Sequence, residues 1–193
     1  FGRKRDMLAA RYAPRWQPRH VPPAAPRWPQ RHAIVIGAGL AGAAVSERLA
    51  LRGWRIDLIE RNAAPAAETS GLHAGVFQPH LSRDDGALSR LTRAGFLYAI
   101  QRWRALEDAG HTLAWQRCGV LQVARDEASE LRMAQTIAAL GFPPDYAQYA
   151  DHASASARTG CKLRAGGWWF PQGGWIKPAS LVQAQLMLAR GCG

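Results

Sequence analysis

The sequence predicts an α/β chain organised around a Rossmann-like dinucleotide-binding unit, and three observations predict it. Residues 33–36 are a short apolar run, Ala-Ile-Val-Ile. Gly37, Gly39 and Gly42 follow at the G-x-G-x-x-G spacing. A helical stretch and a second apolar run come next, and the second run ends on an acid, Glu60. In a chain with 19 glycines the three glycines alone would be weak evidence. The order strand, glycine turn, helix, strand, acid is what makes the signal specific.

Each element has a physical reason. Ala33 to Ile36 is apolar at every position and reads as a buried parallel strand. Gly37 permits the tight strand-to-helix turn. Ala38 and Gly39 bring backbone against a pyrophosphate, and Gly42 lets the helix pack close to the strand. Leu40 to Leu51 reads as that helix, whose N-terminus offers N–H groups and partial positive charge to phosphates. Gly53 closes the helix, and Arg55 to Ile59 is the second strand. Glu60 is placed to accept hydrogen bonds from a ribose diol, and its charge disfavours the extra phosphate of NADP. A βαβ unit without a cofactor is the plain alternative.

Residues 62–86 read as a long connection containing Ser70-Gly-Leu-His-Ala-Gly75, and long loops in compact domains usually carry function. His73 and His80 have no acidic or cysteine neighbours at metal-ligand spacing, so no metal is expected. Ala87 to Ala109 reads as a long helix ended by Gly110. Leu88, Leu91, Gly95, Tyr98, Trp103 and Leu106 fall mostly on one face, most simply the core face. Thr112 to Gln116 and Gly119 to Ala124 read as strands with a tight turn between them. Asp126 caps a helix to Leu140, which Gly141 and two prolines stop. Tyr146 to Ala150 and Gly167 to Phe170 are further strands, and Pro171 to Gly174 is a turn. Pro178 opens a last helix over Ala179 to Arg190. Trp168, Trp169, Phe170 and Trp175 either fill one side of a sheet, the reading the pattern favours, or stack on a planar ligand.

Composition sets the class. The chain has 193 residues, 48% hydrophobic and 20% charged, enough for a real core. The net charge of +11 is concentrated in residues 1–31, which hold eight Lys or Arg against Asp6 alone, and six of the 12 prolines. That segment reads as an extended linker. Its basic residues, with Trp16 and Trp28 among them, suit either contact with nucleic-acid phosphates or simple solvation. Cys118, Cys161 and Cys192 form no C-x-x-C, so neither a disulfide framework nor a zinc site is implied. Each reads as a small packing residue in a reducing cytoplasm. The basic N-terminus lacks the apolar region of a signal peptide. The best apolar stretch, Leu40 to Leu51, carries Glu47 and Arg48 and is no membrane span.

Together these residues resemble the family of bifunctional tRNA 5-methylaminomethyl-2-thiouridine biosynthesis proteins. That family joins an N-terminal S-adenosylmethionine-dependent methyltransferase to a C-terminal FAD-dependent oxidoreductase of the D-amino-acid and glycine oxidase superfamily. Phe1-Gly-Arg-Lys-Arg-Asp-Met-Leu8 is similar to the end of the methyltransferase half, and Ala33 to Arg61 to the FAD fingerprint. Ser70 to Pro79 resembles the flavin-contacting loop. Cys118-Gly-Val-Leu-Gln122 and Phe170-Pro-Gln-Gly-Gly-Trp175 with Pro178 resemble two later landmarks. Leu72 stands where the family's loop has Asn, and Gln78 where an aromatic or His precedes the proline.

The resemblance implies three segments: residues 1–12 ending the methyltransferase domain, 13–31 the linker, and 32–193 the first, incomplete part of the oxidoreductase domain. It implies a fragment, inactive alone. It implies FAD held by Gly37, Ala38, Gly39, Gly42, Glu60 and Arg61, with Ser70, Gly71, Ala74 and Gly75 approaching the flavin side. The implied partners are tRNA and, in the other half, S-adenosylmethionine. The implied reaction is oxidative removal of the carboxymethyl group of 5-carboxymethylaminomethyl-2-thiouridine at the wobble position. No side chain is singled out as catalytic. A small-molecule amine or amino-acid oxidase, an NAD-dependent dehydrogenase and a non-catalytic RNA-binding module are the alternatives.

Overall fold

Local chemistry shapes the first described element. In a computed structural model, which describes residues 30–192, His32–Ile36 form strand β1 and Leu40–Ala50 form helix α1. Arg55–Ile59 form β2, parallel to β1 with Ile34 opposite Asp57 and Ile36 opposite Ile59. The expected linker and the expected methyltransferase end lie almost wholly outside the described residues.

Beyond β2 the chain makes a short 3-10 turn, Thr69–Gly71, then strand β3, Gly75–Phe77. Helix α2 spans Ala87–Asp108. Strands β4, Trp115–Gln116, and β5, Val120–Val123, follow. Helix α3 is Glu127–Leu140, with a reciprocal capping box between Asp126 and Ser129 and a left-handed Gly141 at its end. Then come β6, Gln148–Ala150, helix α4, His152–Thr159, β7, Gly167–Phe170, and β8, Gly174–Ile176. Helix α5, Pro178–Gly191, starts on its proline.

The strands form three sheets. β1 and β2 make the parallel one; β3-β8-β4 and β5-β7-β6 are antiparallel. The two strands expected on either side of Gly119 therefore belong to different sheets. β4 pairs with β8, and β5 with β7.

Two apolar clusters hold the antiparallel sheets. Phe96, Ile100, Met133, Tyr146, Trp168 and Phe170 form one. Trp103, Leu106, Leu113, Ile176 and Leu181 form the other, bridged by Phe77, whose ring meets Trp103 edge-on at 4.9 Å. Of the aromatic run, Trp168 and Phe170 fill the core side of β7 as expected, whereas Trp175 of β8 lies in a different sheet and is exposed. Trp168 is buried with its Nε1–H donated to the Met133 carbonyl, and Phe170 is fully buried. Trp169 lies against Gly119 and under the Arg158 guanidinium.

A third cluster joins α1 to α5 on the inner face of β1–β2, through Ala43, Val182, Leu186 and Leu58. There Glu47 of α1 is buried. Arg102 of α2 donates to its carboxylate, and Gln185 of α5 donates to the other oxygen at 3.2 Å. One carboxylate therefore ties three helices to each other.

Three expectations need correction. β1 is not buried on both faces: Ile34 and Ile36 are 63% and 84% exposed, and Ile59 of β2 is also exposed. Both α1 and α5 pack on the opposite face, so the apolar alternation here is served on one side only. On α2 the core side is Ser89, Phe96, Ile100, Trp103 and Leu106; Leu88, Leu91 and Tyr98 are exposed. The helix carries two apolar stripes, and the one with the larger rings wins the core because it buries more area. The cysteines do not pack: Cys118, Cys161 and Cys192 are all exposed, Cys118 between β4 and β5, and Cys161 and Cys192 just beyond the ends of α4 and α5.

Candidate cofactor site

The turn between β1 and α1 is built by three glycines with three different constraints. Gly37 has φ +95°, a conformation that side chains resist, and its N–H reaches the Ile59 carbonyl at 2.7 Å, locking the turn to β2. A Cβ on Gly42 would lie 1.8 Å from the Gly37 carbonyl oxygen, so helix and strand touch backbone to backbone. A Cβ on Gly39 would meet the Ser70 hydroxyl at 2.9 Å.

Gly39 caps α1 with no side-chain hydrogen bond, and the first turn of α1 carries no acid. The positive end of the helix dipole therefore faces the cleft without a carboxylate on its own helix to neutralise it.

Glu60 stands at the end of β2, facing this turn. Its carboxylate accepts the Ala38 N–H at 2.7 Å, and on its other oxygen the Asn62 N–H and amide at 2.9 Å each. The Ala38 N–H, then the Asn62 N–H, hold its pKa below the ordinary carboxylate value. The carboxylate is anionic, oriented from two sides and still at the surface.

The loop after β2 completes the cleft. Ala66, at φ +57°, donates its N–H to the Ala38 carbonyl at 3.0 Å. That pins the loop against the glycine turn. Ser70 accepts the Leu40 N–H at 3.1 Å, so its hydroxyl sits at the start of α1. Arg61 donates through Nε at 2.9 Å, and also through Nη2, to Glu68.

These residues surround a cleft of about 480 Å³, lined by Gly37, Gly39, Ile59, Glu60, Arg61, Glu68 and Ser70 among others. A larger hollow of about 590 Å³ lies between α1, β2 and α5. Its walls include Ala50, Trp54, Ile56 and Leu186 and no acid, and it lacks both the glycine turn and the helix N-terminus.

Of the residues expected at the site, Gly37, Gly39, Glu60, Arg61 and Ser70 line the cleft. Ala38 contributes its N–H from a buried position, and Gly42 acts behind the turn. Gly71 packs on the Ala66 carbonyl, where a Cβ would come within 2.5 Å. Ala74 and Gly75 stand outside the cleft lining, Gly75 in β3 beside Pro178. Asn62, Ala66 and Glu68 were missed. The only sequence signal for them was their place in a long loop next to the fingerprint.

The residues present fit the adenosine diphosphate end of a flavin dinucleotide. The glycine turn admits close backbone approach, the open helix end suits phosphate, and an oriented carboxylate suits a ribose diol. Among the described residues no group of three or more His, Cys, Asp or Glu stands where it could hold a metal, and no helix is long and apolar enough to cross a membrane.

Comparison with known proteins gives the family of the chain. The chain is 53% identical over 190 residues to the "tRNA 5-methylaminomethyl-2-thiouridine biosynthesis bifunctional protein MnmC" of Paraburkholderia phytofirmans, covering 98% of the chain and 29% of that protein. It is 47% identical to the protein of the same name from Cupriavidus metallidurans, covering 28% of it. The chain thus spans under a third of the length of these curated relatives. Among solved structures, glycine oxidase from Geobacillus kaustophilus superposes with a TM-score of 0.69 at 21% identity, over 84% of this chain and 45% of the oxidase. Glycine oxidase from Bacillus cereus gives 0.68 at 21% identity, over 85% and 44%. At that identity they speak for the fold alone. The pattern of the FAD dependent oxidoreductase (DAO) family matches residues 32–193, which contain the whole cleft and every described strand and helix; the chain belongs to that family.

Proposed function

We propose that this chain is the cofactor-gripping part of an enzyme that oxidises 5-carboxymethylaminomethyl-2-thiouridine at the tRNA wobble position, leaving 5-aminomethyl-2-thiouridine. The observation that carries the reading is the cleft at the β1–α1 turn in a chain 53% identical to a bifunctional protein of that biosynthesis. FAD, when bound, supplies the two-electron acceptor for the carbon next to the secondary amine.

The chain's own residues bind and orient. Gly37, Ala38, Gly39 and the start of α1 face the diphosphate. Gly42 keeps that helix end in place, and Glu60 accepts from the ribose. Arg61 borders the adenine end. Ser70 and Gly71, with Ala74 and Gly75 beyond them, carry the chain from the diphosphate towards the flavin side. No side chain among them is assigned a proton transfer.

The reading extends to the rest of the protein. Residues 1–12 close a methyltransferase domain that uses S-adenosylmethionine, 13–31 link it, and 32–193 begin the oxidoreductase domain. The basic excess of residues 1–31 suits an anionic tRNA partner, in the cytoplasm where tRNA is modified.

The test is the absorption spectrum of the full-length protein. It should be yellow as purified, and anaerobic addition of tRNA carrying the modified uridine should bleach it. Bleaching by glycine or sarcosine and not by tRNA would replace the tRNA reading with a small-amine oxidase. A colourless protein that still binds tRNA would replace it with a binding module.

A further inference from the structure

Glu68 has no place in the fingerprint, yet it is the residue around which the adenine end of the cleft is organised. Its Oε1 accepts Nε of Arg61 at 2.9 Å, Nη2 of the same guanidinium, and the Asn62 amide at 3.2 Å. The same Asn62 amide donates to Glu60 at 2.9 Å. Two carboxylates therefore share one amide, and one of them takes two N–H groups of Arg61, the only cation among the described residues that line the cleft.

Arg61 stands one residue after the acid at the end of β2. In dinucleotide-binding folds an arginine near this position is the group that accommodates a phosphate on the ribose 2′ oxygen. A guanidinium engaged by a carboxylate through Nε and Nη2 has that edge occupied and its charge partly neutralised. The lining then offers a 2′-phosphate two anions and one neutralised cation.

We propose that Glu68 is a specificity-determining residue: by occupying the Arg61 guanidinium it makes the cleft accept an unphosphorylated ribose and refuse a 2′-phosphate. This rests on reading the cleft as the adenosine diphosphate cradle. The chemistry it discriminates against is that of 2′-phosphorylated adenine dinucleotides, which share every other feature the cleft recognises.

The arrangement explains why one acid is not enough. Glu60 is braced by two backbone N–H groups and is committed to the turn and the ribose. Its carboxylate also accepts the Arg61 backbone N–H, but among the described residues no hydrogen bond joins it to the Arg61 guanidinium, so by itself it leaves the guanidinium donors available. Arg61 and Glu68 are 77% and 53% exposed. Solvent screens such a pair, so the effect is modest: about fivefold, the upper end of what exposed pairs contribute.

The test uses the full-length protein stripped of flavin. Binding of 5′-ADP, and of the pair 5′-AMP and adenosine 2′,5′-bisphosphate, which differ only in the 2′-phosphate, is measured by calorimetry. The wild type should bind 5′-ADP and prefer 5′-AMP to the bisphosphate. Glu68→Ala and Glu68→Gln should each shift the affinity ratio towards the bisphosphate by about fivefold. The glutamine variant keeps the shape of the loop should alanine disturb folding. Adding Arg61→Ala to either variant should abolish the shift. An unchanged ratio in both single variants overturns the proposal. So does a shift that survives loss of Arg61, because it would come from simple charge repulsion. A wild type that binds no 5′-ADP removes the cradle reading, and this inference with it.

Discussion

Replacing Gly42 with alanine tests whether backbone contact between α1 and the glycine turn sets cofactor affinity. The added Cβ would lie 1.8 Å from the Gly37 carbonyl oxygen and 3.4 Å from a Val35 methyl. The near partner is backbone, and Gly37 is itself locked to β2 through its 2.7 Å bond to Ile59. The turn cannot give way without breaking that bond, so the helix must move. Opening the contact from 1.8 Å to an ordinary 3.4 Å displaces the start of α1 by about 1.6 Å. A shift of that size takes helix N–H groups out of hydrogen-bonding range of anything held by the turn. One lost bond to a charged group costs about 1.5–3 kcal/mol, a roughly ten- to hundredfold loss of affinity. The overpacking itself costs about 1–3 kcal/mol of fold stability.

The assay is FAD titration of the flavin-stripped full-length protein, followed by flavin fluorescence, with thermal melting alongside. Gly95→Ala is the control. It sits on the exposed side of α2, a Cβ there would meet nothing within 4 Å, and alanine should stabilise by about 0.5–1 kcal/mol. If Gly42→Ala binds FAD within twofold of wild type and melts unchanged, the contact is soft and the role assigned to the third glycine is wrong.

Two further predictions follow from other parts of the molecule. Arg102→Ala leaves the Glu47 carboxylate, 1% exposed, without its cation, and should cost about 3–5 kcal/mol in denaturant unfolding; adding Glu47→Leu should recover part of it, and a loss under 1 kcal/mol would show that the pair is not what holds the helices. The acid limb of the stability–pH profile should depend on two helix caps. Asp126 and Asp151 accept the N–H of Ser129 and Ser154, bonds that hold both pKa values below the ordinary 3.8. Their folded values are depressed, so the stability they contribute is complete above pH 3.8 and is lost as the pH falls through the folded values. Asp126→Asn with Asp151→Asn should flatten melting temperature against pH below about 4, and an unchanged slope would count against the caps.

How much of this was legible in the sequence depends on the distance over which each feature is decided. The fingerprint was legible because its constraints are local. Gly37 needs a positive φ, Gly42 needs no Cβ, and both answer to residues within one turn and its strand. The cap at Asp126 and the stop at Gly141 were legible for the same reason. Strand β3 was not, because Gly75–Phe77 becomes a strand only by pairing with Gly174–Ile176, about a hundred residues on. Helix α4, His152–Thr159, escaped notice because its sequence of Ala, Ser and Thr has no apolar stripe and depends on the Asp151 cap and the left-handed Gly160. On α2 the pattern contained both faces, and only packing against Phe170 and Trp168 chooses Phe96 and Ile100 over Leu88 and Leu91. The Glu47–Arg102 pair spans 55 residues and left no mark in either segment.

The same division runs through the cleft, and it bears on how tightly the site can hold anything. Two of its donors, and its main acceptor, are already engaged. The Ala38 N–H bonds Glu60, the Leu40 N–H bonds Ser70, and Glu60 also accepts from Asn62. A diphosphate or ribose entering here exchanges hydrogen bonds and does not simply add them, so the affinity is the surplus over contacts given up. Those internal contacts offset part of what binding gains. They also keep Glu60 ionised and aimed, and hold the loop at Ala66 against the turn, so little of the cradle has to be ordered when the ligand arrives. The residues that set this balance, Asn62, Ala66, Glu68 and Ser70, all lie in the loop outside the G-x-G-x-x-G pattern. The fingerprint states that a dinucleotide can be bound; under the proposal made for Glu68, the loop that folds back on it decides which one, and how firmly.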